Sequence, residues 1–192
     1  MKKSFRVIVA LSVVAGFVAI SGQAFAEGED TDAYAGVKMC IMCHKKDAEG
    51  KLVQIWQDGP HAKAVETLGT PEAKAMGAKV GVADPQKSEK CLICHTTAYD
   101  GKNTVQTQKN PVESGVTCES CHGAGKNYKT KTIMADRKQS EAAGMIYPAT
   151  KSCVKCHNEK SPAWNPERYT TKDGKKTGFD PDQAYEKIKH KK

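Results

Sequence analysis

Gly115-Val116-Thr117-Cys118-Glu119-Ser120-Cys121-His122-Gly123-Ala124-Gly125 places two cysteines three positions apart, with a histidine directly after the second. The arrangement Cys-x-x-Cys-His recurs at Cys40-Ile41-Met42-Cys43-His44, Cys91-Leu92-Ile93-Cys94-His95 and Cys153-Val154-Lys155-Cys156-His157, and together the motifs use all eight cysteines. Three chemistries compete for such a pattern: a disulfide framework, a zinc ribbon, and covalent attachment of c-type haem. Disulfides require no histidine, and zinc requires none at that position. Haem attachment requires both features. Two thiols about one helical turn apart reach two vinyl groups on one porphyrin edge, and the next residue is held beneath the iron as its proximal ligand. The histidine follows four of four pairs and no cysteine is left over, so the sequence points to four covalently attached haem c groups. Cys40, Cys43, Cys91, Cys94, Cys118, Cys121, Cys153 and Cys156 then form the thioethers, and His44, His95, His122 and His157 are the proximal iron ligands.

The composition agrees. Of 192 residues, 39% are hydrophobic and only 6% aromatic, less apolar material than a globular chain of this size usually carries. Porphyrin faces supply the missing interior. The expected fold is mainly α with much irregular structure: a multihaem cytochrome c fold of short helices packed around four haems, with little or no sheet.

The N-terminus reads as an export signal. Lys2, Lys3 and Arg6 precede the uncharged apolar run Val7 to Ile20, and Ala24-Phe25-Ala26 forms a small-x-small cleavage site before Glu27. The apolar run is short for a membrane anchor. Residues 1–26 are therefore expected to be a cleaved signal peptide, 27–165 the tetrahaem domain, and 166–192 a charged C-terminal segment with a short helix able to supply a distal haem ligand. The expected destination is the periplasm or the cell exterior, with no membrane insertion after cleavage. The formal charge of +8 falls to +5 once the leader's three basic residues are removed. No basic stripe with interleaved aromatics appears, which argues against nucleic acid as a partner.

The motif starts are unevenly spaced, so the chain is not a tandem repeat. Asp58-Gly59-Pro60 predicts a helix over Pro60 to Leu68 that carries His61, Val65 and Leu68 on one face. Thr70-Pro71-Glu72 predicts a second helix, Ile133 to Ala143 a third closed by Gly144, and Asp180-Pro181 a last one reaching about His190. Gly101 to Ser114 reads as a polar loop, and Glu167 to Gly178 as a charged, mobile stretch. Tyr99, Tyr128 and Tyr147 are available to hydrogen-bond propionates.

Four irons need up to four distal ligands. Four of the six histidines are proximal, which leaves His61 and His190. At most two haems can thus be bis-histidine within one chain. The others use methionine, take a ligand from another chain, or stay open. Met134 and Met145 flank one predicted helix and can serve as thioether ligands or simply fill gaps against porphyrin.

Tyr34-Ala35-Gly36 ahead of Cys40, Trp56 followed by Gly59-Pro60-His61-Ala62, and the stretch Gly115 to Gly125 together resemble the tetrahaem cytochrome c-554 family, over about Tyr34 to Trp164. The resemblance implies a mostly helical periplasmic fold with closely packed haems and electron-transfer activity. It also implies that His61 serves the haem of His122, that His190 serves the haem of His157, and that the haem of His95 is five-coordinate. The family pattern places a further distal histidine between the second and third motifs, and Thr96 to Thr117 contains none. Met134 is then the substitute ligand for the haem of His44.

Three functions follow from these readings. The first is an electron carrier between donor and acceptor cytochromes or quinol-linked membrane complexes, with no catalytic residue. The second is a haem enzyme acting on a small nitrogen species at an open iron. The third is a unit of a polymeric haem wire that shares a histidine across subunits. The sequence leaves the oligomeric state open.

Overall fold

The computed structural model describes residues 33–46, 51–99 and 114–190. The leader reading and nearly all of the 101–114 loop reading lie outside the described residues. Within them the chain is helical and irregular, as expected, and its sheet is a single hairpin of two-residue strands.

Helix α1 (Val37–His44) follows Gly36, whose φ of 92° is left-handed and suits glycine. Helix α2 (Leu52–Asp58) lies in a stretch without a sequence signal of its own, and Gly59 closes it. The helix expected from Pro60 begins only at Ala64. Residues 60–63 form a turn in which the Ala64 N–H donates to the His61 carbonyl (3.2 Å), and α3 spans Ala64–Leu68. Helix α4 (Pro71–Lys79) forms as read: the Thr70 hydroxyl accepts from the Ala73 N–H, and Pro71 occupies the first turn.

Helix α5 (Glu89–His95) and helix α6 (Cys118–His122) carry the second and third motifs. The single helix expected over Ile133 to Ala143 is instead two, α7 (Lys131–Met134) and α8 (Arg137–Ala142). Asp136 breaks the run. Its backbone is extended, and its carboxylate accepts from the Gln139 N–H (3.2 Å), so it starts a new helix rather than continuing the old one. The fourth motif lies on a 3-10 helix, Ala149–Lys155.

The stretch expected to be mobile, Glu167 to Gly178, folds into a hairpin. Strands β1 (Tyr169–Thr170) and β2 (Lys176–Thr177) pair antiparallel, Tyr169 opposite Thr177. Gly174 takes the left-handed turn position (φ 82°), and the Thr171 hydroxyl accepts from the Lys175 N–H. Helix α9 (Pro181–Glu186) follows, capped by Asp180 and ending short of His190.

Helix α6 and helix α9 both pack on the 3-10 helix, α3 packs on α5, and α1 meets α2 and α6. Tyr34, Val37, Leu68, Val82, Leu92, Val116 and Tyr128 are buried, alongside polar Thr97, Thr117, Glu119, Ser140 and Ser152. That is a thin apolar interior. Helices this short do not hold themselves together in water, so the fold depends on what the motifs bind.

Candidate haem sites

Each motif sits at the end of a helical turn. Helices α1 and α5 terminate at His44 and His95, α6 is itself the third motif, and the 3-10 helix leads into Cys156 and His157. None of the eight cysteines is in a disulfide. The motifs meet in pairs. The thiol of Cys40 lies close enough to that of Cys118 to shift its protonation, and that of Cys94 close enough to Cys156 to do the same. In each pair one thiol holds its proton and its partner loses it more readily. Cys40 is pushed up by Cys118 and by burial, whereas Cys118 is lowered by Cys40. Cys94 is lowered to about 7 by Cys156, which is itself raised. Burial, then Cys153 and Cys118 nearby, pushes Cys121 up to about 11.

The histidines are arranged more specifically. The rings of His61 and His157 are 6.1 Å apart at 76°, and those of His122 and His190 are 6.0 Å apart at 43°. The juxtaposition differs from the pairing the resemblance implies: His61 stands beside the fourth motif's histidine and His190 beside the third's. The reason lies in chain direction. The fourth motif's helix lies between α6 and α9, and the residues after α9 return to α6. Two metal–imidazole bonds of about 2 Å, each extended by a ring radius of about 1 Å, span about 6 Å. Both separations thus fit an iron held between two histidines.

Burial, reinforced by His95, His190, His61 and His44 respectively, holds His61, His122, His157 and His190 below the usual imidazole range. The shift favours the neutral imidazole, the form that binds metal.

Main-chain contacts fix His61. Its carbonyl accepts from the Val116 N–H (2.9 Å), and the Trp56 indole N–H donates to the Val116 carbonyl (2.8 Å). Gly115 has φ 61°, and a Cβ there would stand 2.6 Å from the His61 carbonyl oxygen. Only glycine lets the third motif's leading strand approach the His61 turn so closely.

His44 and His95 have no histidine opposite, since all six are now placed. His95 Nδ1 lies 2.8 Å from the Ala64 carbonyl, a bond that orients the ring and leaves Nε2 with its lone pair. His44 Nδ1 is buried with no hydrogen-bond partner. Met134 is half-buried at the end of α7.

Other side chains support the sites. Glu119, between the two cysteines of that motif, is 2% exposed. Its carboxylate accepts from the N–H groups of Ala35 (2.7 Å), Gly36 (2.9 Å) and Gly125 (2.7 Å), and so ties the approach to the first motif onto the third. The buried Thr97 hydroxyl accepts from the Thr117 N–H (2.7 Å) and the Ser120 hydroxyl (2.9 Å), joining the second motif to the third. The Tyr128 hydroxyl points its donor at the carbonyls of Gly123 (2.7 Å) and His122 (3.1 Å). Phe179 stacks on His157 at 4.7 Å with the rings 7° from parallel.

The chain is similar to known multihaem proteins. Residues 39–123 match the family described as cytochrome c554 and c-prime. Cytochrome c-554 of Nitrosomonas europaea is 33% identical, with 79% of this chain and 68% of the relative covered. The solved structure of reduced cytochrome c554 from Nitrosomonas europaea superposes with a TM-score of 0.50 at 28% identity, covering 80% of this chain and 77% of that one. With four attachment motifs in a chain of this likeness, the cofactor is four covalently attached haem c groups.

Proposed function

The chain belongs to the cytochrome c554 family of multihaem c-type cytochromes, and we propose that it is a periplasmic electron-transfer protein rather than an enzyme. In this reading the eight motif cysteines hold the haems, and His44, His95, His122 and His157 are proximal ligands. His61 and His190 complete the haems of His157 and His122. Met134 is the thioether ligand for the haem of His44, and the haem of His95 stays five-coordinate. The four haems supply one-electron chemistry. The chain sets each potential through axial ligand, burial and neighbouring charge.

One observation carries this reading: the motifs abut. Glu119 of the third motif accepts from Ala35 and Gly36 just ahead of the first, the Ser152 hydroxyl ahead of the fourth donates to the Cys121 carbonyl of the third (2.8 Å), and the third motif's helix packs on both neighbours. Groups attached at these motifs are neighbours, which is what passage of electrons through one small chain requires. The leader reading supports export, and among the described residues no helix is long and apolar enough to cross a membrane. The proposed partners are donor and acceptor cytochromes or quinol-linked membrane complexes. His190 beside His122 of its own chain speaks against a polymeric wire, because the histidine to be shared between subunits is already used.

Rapid-mixing reduction with a small reductant, freeze-quenched and read by the electron paramagnetic resonance signals of the separate ferric haems, tests the carrier. Rapid redistribution of the first electron among haems according to potential is expected. Haems that reduce independently, each at its own rate with the reductant, would overturn it. A second reading, reaction of a small nitrogen species at an open iron, rests on the count of histidines: two haems lack a second one. Turnover of nitric oxide or hydroxylamine by the purified protein would favour it.

A further inference from the structure

We propose that Phe179 is a positioning residue that fixes the plane of the His157 imidazole and thereby sets the electronic character of the haem at that histidine. The proposal rests on the reading of His61 and His157 as one iron's two ligands.

Phe179 lies flat against the His157 ring, 4.7 Å between centroids and 7° from parallel. Turning the imidazole about its own bond would open that stack and uncover the facing surfaces of the two rings, so the contact selects one plane. Phe179 is itself held from several sides. Tyr169 of β1 packs edge-on against it, 5.9 Å away at 83°. The Thr177 hydroxyl donates to the Phe179 carbonyl (3.2 Å). Gly178 is pressed on Trp164 so closely that a Cβ there would stand 2.0 Å from the indole ring. Asp180, the next residue, is fixed as the cap of α9 by the Gln183 N–H (3.0 Å). The hairpin and the helix cap thus grip Phe179 from both sides in sequence, and Phe179 grips His157.

The outcome is an angle of 76° between His157 and His61. His122 and His190 stand at 43°, and among the described residues neither has another aromatic ring stacked on it. The difference matters because each imidazole donates π density into the iron d orbital perpendicular to its own plane. Near-perpendicular ligands raise both dπ orbitals almost equally. The unpaired electron of low-spin ferric iron is then shared between them and carries a large orbital moment, seen as one very large g value. Ligand planes closer together split the orbitals and give an ordinary rhombic signal. The two bis-histidine haems of this chain are therefore electronically distinct, and Phe179 maintains the difference.

Electron paramagnetic resonance of the oxidised four-haem protein tests this. The unsubstituted protein should show one large-g low-spin signal, and His61→Ala should abolish that signal alone. Phe179→Leu should retain the low-spin haem but move its largest g value downward, towards the rhombic type, while Phe179→Tyr retains the original signal. Gly178→Ala, which displaces the hairpin without altering either ring, should shift the signal in the same direction as Phe179→Leu. If His61→Ala removes the signal but Phe179→Leu and Gly178→Ala leave it in place, the positioning role is overturned and the ligand pairing stands. If His61→Ala changes no low-spin signal, the pairing fails and the role of Phe179 fails with it. Haem content by mass, checked for each variant, separates these outcomes from loss of a cofactor.

Discussion

The imidazole of His190 lies 6.0 Å from that of His122 because the chain, after the cap at Asp180 and the short helix Pro181–Glu186, turns back toward the third motif. The turn is held locally: the Ile188 and Lys189 N–H groups both donate to the Tyr185 carbonyl, and the Lys189 ammonium pairs with Glu186. Replacing His190 by alanine should convert one ferric haem from low to high spin, with all four haems retained by mass, and added imidazole should restore the low-spin form. A spectrum unchanged by His190→Ala would remove this residue from the axial ligands. The signal lost should be the rhombic one, leaving the large-g signal of the His157 haem intact.

Glu119 holds two parts of the chain that the sequence separates widely. Three backbone N–H groups converge on one buried carboxylate, and Gly125 approaches so closely that a Cβ there would stand 3.0 Å from a carboxylate oxygen. Substitution by glutamine turns an NH2 donor toward N–H donors and removes the charge they share. A hydrogen bond to a charged group contributes about 1.5–3 kcal/mol, so Glu119→Gln should destabilise by about 2 kcal/mol or more. Denaturant unfolding followed by circular dichroism should show the lower midpoint. Haem content should be unchanged, because the four thiol pairs remain.

Gly115 is the point where the third motif's approach meets the His61 turn. Alanine at φ 61° costs about 1–3 kcal/mol of backbone strain. Its Cβ would also press on the carbonyls of His61 and Ala62 at 2.6 and 2.8 Å. Gly115→Ala should therefore lower stability and raise the high-spin fraction at the haem of His157, through movement of His61. Lower stability without any high-spin fraction would mean that the turn does not position His61.

How much of this was legible in the residues depends on how local the cause is. The attachment motifs, the Thr70 and Asp180 caps and the scarcity of sheet are local matters, read directly from neighbouring positions. Asp136 is a local cap too, but its signal competed with a helical pattern on both sides, and the cap prevailed. The partner of each distal histidine is not local. His61 and His190 were identifiable by counting, whereas which motif histidine each stands beside is set by how α6, α9 and the 3-10 helix pack. Glu119 and Phe179 were invisible for the same reason: their partners are backbone N–H groups and a ring brought in from elsewhere in the chain. The hairpin was read as mobile because its residues are charged. What stabilises it is Phe179 on His157 and Trp164 on Gly178, neither of which composition reveals.

Two motif histidines, His44 and His95, have no second histidine across from them, and their surroundings differ. His95 Nδ1 is bonded to the Ala64 carbonyl, whereas His44 Nδ1 is buried without a partner. A proximal imidazole that donates to a carbonyl is the more basic iron ligand, and one lacking an acceptor binds its metal less strongly. If Met134 ligates the haem of His44, the ferric protein should contain one high-spin haem, that of His95, and bind one equivalent of cyanide tightly. Met134→Ala should then raise the high-spin count to two and the fast-binding cyanide to two equivalents. A count of two already present before substitution would exclude Met134 as the ligand and leave the His44 iron open. In ferrous protein treated with nitric oxide, the bond to His44 should break before the bond to His95, seen as a five-coordinate nitrosyl signal at one haem only.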